Sequence, residues 1–178
     1  LIRYNLAIAS RLTGPSAEPS LHEDALTGLP APQVLIGGYG RVGHTIAVLL
    51  KSSGVAFVAF DTDPKRVQQG RADGYPVLYG DIVDPELLAA ARAELASLAI
   101  ITVDAHATSL SAIATLRRHC PHVPVIARAH DLEASSVLIN AGAIHAYPEA
   151  IEASLRLGAT ALRLLNIPTA DIDLMLQD

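Results

Sequence analysis

The chain has 178 residues, of which 51% are hydrophobic and 17% charged, with a formal net charge of −5 and a pI near 5.7. That length suits one domain with extensions and enough apolar residues for a sizeable core. The acidic balance, with Lys51 and Lys65 the only lysines, excludes the basic stripe that a nucleic-acid surface needs.

The lone Cys120 rules out an internal disulfide and fits a reducing compartment. No run free of Asp, Glu, Lys and Arg reaches the roughly 18 residues of a membrane-spanning helix. The longest, Ala25 to Gly40, contains Pro30 and Pro32. The chain starts at Leu1 and its one methionine is Met175, so we expect a piece of a longer protein that is itself soluble.

Residues Leu1 to Leu12 carry an apolar pattern suited to a short helix with no evident partner. From Thr13 to Pro32 the composition shifts to Pro, Ser and acids, which reads as a linker, so residues 1–32 are set apart. The folded domain is expected over 33–165, followed by a tail, 166–178.

The domain opens on Val34-Leu35-Ile36-Gly37-Gly38-Tyr39-Gly40-Arg41-Val42-Gly43, an apolar strand that breaks into G-x-G-x-x-G and enters a helical pattern at Ile46, Ala47, Leu49 and Leu50. Gly38 permits a sharp turn, Gly40 lets a phosphate approach bare backbone, and Gly43 allows close packing of helix on strand. The phosphate would then meet unpaired N–H groups at the positive end of a helix dipole. Val55 to Phe60 reads as a second buried strand that ends in Asp61. This acid follows Gly38 by 23 residues, near the roughly 20 expected for one that bonds an adenosine ribose. Its charge also disfavours a 2′-phosphate, so NAD, AMP, ADP or ATP is expected over NADP.

Asp63-Pro64 and Asp84-Pro85 each read as a helix N-cap followed by proline at the first helical position. Between those helix starts, Pro76 to Tyr79 is a short strand that delivers Gly80-Asp81. Asp81 is placed to accept a bond from an adenine amino group, or else to cap a turn. Leu98 to Val103 is a fourth strand, with a helix from about Ala107 to His119. Val123 to Ala127 is a fifth strand, with Arg128 at its end, where it either faces ligand or pairs with Asp131 or another nearby carboxylate. A helix from Asp131 to Ala141 stops at Gly142. Ile144 to Tyr147 is a sixth strand, and Pro148-Glu149 opens a long helix to about Leu165.

Six strand–helix alternations with near-continuous apolar strands predict a Rossmann-like, doubly wound α/β fold: a parallel six-stranded sheet with helices on both faces. Its ligand crevice lies outside the carboxyl ends of the strands. The candidate contacts there are Gly38, Tyr39, Gly40, Arg41, Val42, Gly43, Asp61, Thr62, Asp81, Ile82, Thr102, Val103 and Arg128. Within the glycine turn, the Arg41 guanidinium is placed to reach phosphate oxygens.

No catalytic set is expected. His119-Cys120-Pro121-His122 has too few ligands at a helix end to hold a metal. No tyrosine has a lysine four positions later, and only 13 residues follow Leu165, which leaves no substrate domain. The nucleotide is expected to be sensed rather than consumed; the alternative is a small NAD-dependent oxidoreductase domain.

The successive motifs VLIGGYGRVG, FDTDP, LYGDIVDPELL, PVIARAHD and INAGAIHAYPE resemble the nucleotide-binding regulator domain of K⁺ transport (TrkA-N, RCK or KTN) in its Kef-type form. The resemblance runs from Gln33 to about Leu165. It implies AMP or NAD(H) as a regulatory ligand on Gly38 to Gly43, Asp61 and Asp81. It also implies a homodimer through the helices of the C-terminal half, and a covalently linked upstream transmembrane cation:proton antiporter domain. The domain would lie on the cytoplasmic face of a bacterial inner membrane. Glutathione-gated members carry an arginine beside the segment where this chain has Tyr147-Pro148-Glu149-Ala150, so glutathione control is not implied.

Overall fold

The computed structural model describes residues 31–165. The expected helix over Leu1–Leu12, most of the linker and the tail over 166–178 lie outside the described residues. The elements run β1 (Val34–Gly37), α1 (Arg41–Ser52), β2 (Phe57–Asp61), α2 (Pro64–Ala72), β3 (Val77–Tyr79), α3 (Pro85–Ala90), β4 (Leu98–Ile101), α4 (His106–His119), β5 (Val125–Ala129), α5 (Leu132–Asn140), β6 (His145–Pro148) and α6 (Glu149–Leu164). A single 3-10 turn, Ala93–Leu95, precedes β4.

All six strands are parallel, in the order β3-β2-β1-β4-β5-β6. The chain leaves β1 toward β2 on one side and later returns to pair β4 on the other. The carboxyl end of β1 is therefore the switch point, where a crevice must open.

Alternation along the strands splits the core. Leu35, Val58, Phe60 and Ala99 join Ile113, Leu116 and Leu138 on the face covered by α4 and α5. Val34, Ile36, Phe57 and Ala59 join Ala47 and Val67 on the face covered by α1 and α2. A sheet buried on both sides explains why its central strands read as continuous apolar runs.

The helix starts follow from local chemistry. The Asp63 carboxylate accepts the Lys65 N–H at 2.9 Å and Asp84 accepts the Glu86 N–H at 2.9 Å, each before a proline that lacks an N–H to satisfy. Gly142, at φ +117°, follows α5 in the left-handed region that glycine adopts without strain.

Several strand ends differ from expectation. β4 stops at Ile101 because β1, its partner, ends at Gly37. β5 begins at Val125, since Pro124 has no N–H for the ladder, and it extends to Ala129, so Arg128 lies within the strand. Val125, Ala127 and Ala129 are buried in the α4/α5 core, so Ile126 and Arg128 face the α1 side.

Candidate functional site

A cleft of about 280 Å³ opens at the switch point, lined by residues from the carboxyl ends of β1, β2, β3, β4 and β5. Of the residues expected there, Gly38, Gly40, Arg41, Val42, Asp61, Thr62, Asp81, Ile82, Thr102, Val103 and Arg128 line it. Tyr39 and Gly43 are absent from that lining. They shape the cleft from behind.

The turn is held by contacts that account for its glycines. Gly38 sits at φ +97°, and a Cβ there would come within 3.0 Å of the Val103 backbone N and side chain. A Cβ on Gly43 would lie 2.0 Å from the Gly38 carbonyl oxygen, so only glycine lets the first turn of α1 pass so close to β1. Gly40 has an ordinary φ of −71° and its nearest contact would be Arg66 Nη1 at 3.7 Å, so its missing side chain leaves space over the helix start. No side chain caps α1, which leaves its first N–H groups facing the cleft.

Thr102 fastens this turn to β4. Its hydroxyl donates to the Gly38 carbonyl at 2.8 Å and its N–H donates to the Gly37 carbonyl at 2.7 Å. Beneath the turn, the Tyr39 ring is buried against Tyr75, and its hydroxyl lies 3.1 Å from His44 Nδ1. Burial, reinforced by the nearby Tyr75 and Asp73, pushes the Tyr39 hydroxyl up to about 12. Gly70 makes room for that ring: a Cβ there would stand 2.8 Å from it.

Asp61 is 6% exposed and its two oxygens are separately held. Oδ2 accepts the Tyr39 N–H at 2.7 Å and Oδ1 accepts the Asp63 N–H at 2.8 Å. Each carboxylate oxygen has a second lone pair. Oδ1 thus keeps a free acceptor position toward the cleft, while the second position on Oδ2 takes a long hydrogen bond from Arg66 Nη1. Arg66, not among the residues expected there, lines the cleft with its Nη1 3.4 Å from Asp61 Oδ2 and its side chain half exposed. Its guanidinium sets a positive charge beside the Asp61 carboxylate. At the next strand end, Gly80 at φ +148° turns the chain into Asp81, whose Oδ1 accepts the Val83 N–H at 3.1 Å. Asp81 therefore shapes its own turn while lining the cleft.

At the opposite end, Arg128 pairs with Asp104 and with Glu149 Oε2 at 2.5 Å, not with Asp131. The two carboxylates raise its pKa further above the ordinary guanidinium value, against the opposing effect of burial. In the His119–His122 stretch, Cys120 is buried and His122 Nε2 lies 2.5 Å from the Glu94 carbonyl oxygen. No group of three or more potential ligands suited to a metal occurs among the described residues. No helix among them is long and apolar enough to cross a membrane.

Comparison with known proteins follows the same outline. The chain is 33% identical over 183 residues to the putative K⁺ efflux antiporter KefB of Alkalimonas amylolytica, covering 100% of this chain and 28% of that protein. It is 35% identical over 162 residues to the glutathione-regulated potassium-efflux system protein KefC of Escherichia coli O157:H7, covering 91% of this chain and 26% of that protein. It thus spans about a quarter of the length of these relatives. The Kef C-terminal domain of Shewanella denitrificans in its AMP-bound form superposes with a TM-score of 0.71 at 28% identity, covering 81% of this chain and 87% of that one. The TrkA-N domain family matches residues 34–148; the chain belongs to that family.

Proposed function

We propose that this chain is the nucleotide-binding regulatory domain of a potassium or related cation:proton antiporter, held at the cytoplasmic face of the membrane by an upstream transport domain. The observation that carries the reading is one cleft in which a capless helix start, the Asp61 carboxylate and Asp81 succeed one another along three strand ends. That order suits the phosphate, ribose and base of AMP, or of the adenosine half of NAD(H). Thr62, Ile82 and Val103 supply walls, Thr102 keeps the glycine turn in place, and Arg41 faces the phosphate. The KefB and KefC names and the AMP-bound Kef domain support the same ligand class and role.

Ligand occupancy would act on assembly. The α1 side of β4 to β6 carries a hollow of about 200 Å³ lined by Val42, Ile46, Ile100, Ile126 and Tyr147, and Leu157 and Leu164 of α6 are 74% and 80% exposed. We assign these surfaces to a homodimer contact, through which two transport domains would be held.

The reading makes the protein a sensor, with no catalytic residues. Incubation with NADH and a panel of carbonyl compounds should leave the absorbance of the reduced nicotinamide constant. A saturable, substrate-dependent loss would overturn it in favour of an oxidoreductase.

A further inference from the structure

Arg128 stands on a boundary. It lines the cleft at the switch point and also the apolar hollow beside α6. Its guanidinium is used on two edges. Nη1 faces Asp104 and, at 3.5 Å, the Thr102 carbonyl, both at the cleft end of β4. Nε and Nη2 both lie 2.5 Å from Glu149 Oε2, on the first residue of α6.

The two acids are held differently. The Asp104 side chain is 82% exposed, while Glu149 is 46% exposed and the arginine between them only 19%. With one cation and two anions, the group carries a net charge of −1 at the end of the cleft. A second phosphate reaching this end would meet that charge. It is accommodated if it takes the Nη1 edge and Asp104 swings into water, which costs little for a carboxylate already so exposed. Phosphate oxygens suit that edge, because a guanidinium offers planar paired donors. The cleft, at about 280 Å³, lies at the small end for ligand sites. A nucleoside diphosphate carries a further phosphate past the first, and Arg128 lines the cleft on the β5 side, away from Asp61 and Asp81.

Building on the nucleotide reading above, we propose that Arg128 distinguishes nucleoside diphosphates from monophosphates by exchanging Asp104 for the second phosphate. The contact to Glu149 that it keeps then ties an occupied cleft to the start of α6. Asp104 is in this sense a tethered stand-in for the ligand's own anion. Arg128 acts as a specificity residue, and Glu149 as the point where occupancy reaches the helix we assign to the dimer contact.

The test uses the full 178-residue chain with AMP and ADP as probes, and reads the ratio of their dissociation constants by calorimetry. Asp104→Asn removes the competing charge at an exposed position that should not disturb folding, and should shift the ratio about tenfold toward ADP. Arg128→Gln should shift it toward AMP. Hydrogen exchange at the first two turns of α6 should slow on ADP binding more than on AMP binding, and Glu149→Gln should abolish that difference. If neither nucleotide binds the parent chain, the nucleotide reading itself fails and this proposal falls with it. If AMP and ADP bind but the ratio is the same in all three proteins, Arg128 does not read the second phosphate. If the ratio moves while α6 exchange is indifferent to ADP, the coupling through Glu149 is overturned.

Discussion

The Asp61 carboxylate accepts the backbone N–H of Tyr39 at 2.7 Å, which joins the end of β2 to the glycine turn that follows β1. One residue thus builds the turn and sets a carboxylate beside it at the cleft. Asp61→Ala strands the buried N–H of Tyr39 and releases that of Asp63. The expected loss of stability is about 1–3 kcal/mol, the cost of one unsatisfied buried donor. Denaturant unfolding of the ligand-free protein measures it directly. An unchanged midpoint would mean that the turn holds itself.

The glycines separate folding from binding. Gly43→Ala puts a Cβ 2.0 Å from a backbone oxygen that cannot move aside without opening the turn, so the melting temperature should fall markedly. Gly40→Ala meets nothing closer than 3.7 Å and keeps an ordinary φ, so its melting temperature should stay within a degree or two of the parent's. Its added methyl nevertheless occupies the approach to the α1 N-terminus, and nucleotide affinity should drop. Equal thermal effects in the two variants would contradict this division.

Alkaline stability should report on Tyr39. Its hydroxyl is raised from 10.0 to about 12, so the folded protein holds the phenolic proton more tightly than the unfolded chain does. The resulting stabilisation is fully present below pH 10 and is lost as pH rises toward 12. By linkage the loss is about 2–3 kcal/mol. Tyr39→Phe should flatten this part of the stability profile, although at neutral pH it forfeits the contact with His44. A parent and variant with parallel profiles above pH 10 would argue against the buried phenol as the cause.

The homodimer contact we propose is read from the exposed Leu157 and Leu164 of α6. Light scattering should show the parent chain as a dimer and the double variant Leu157→Glu with Leu164→Glu as a monomer of unchanged helix content. A parent that is monomeric at tens of micromolar would remove the dimer from the account.

What could be read from the sequence was what is local. The strand, glycine turn and helix start at Val34 to Gly43 need only neighbouring residues, as do the Asp63-Pro64 and Asp84-Pro85 caps and the stop at Gly142. Even the acid of β2 could be placed, because a βαβ unit of fixed size sets its distance from Gly38. The partners of Arg128 were out of reach, since Asp104 and Glu149 are 24 and 21 residues away and meet it only once β4, β5 and α6 are assembled. The direction of the Tyr39 ring, away from the cleft and over Gly70, likewise depends on how α2 packs. Arg66 left a faint signal: it lies three residues after the Asp63 cap, in the first turn of α2, where a long side chain can return to the end of β2.

The proposed adenine-nucleotide site turns on the Asp61 carboxylate. Calorimetric titration with AMP of the parent and of Asp61→Asn tests it most directly, because asparagine keeps an oxygen for the Tyr39 N–H while losing the charge, at the cost of turning its NH2 toward the Asp63 N–H. The account predicts saturable binding of one AMP per chain, weakened about tenfold or more in the variant, as expected for losing a charged acceptor worth about 1.5–3 kcal/mol. A parent that shows no saturable binding, or a folded variant that binds AMP as tightly as the parent, would contradict it.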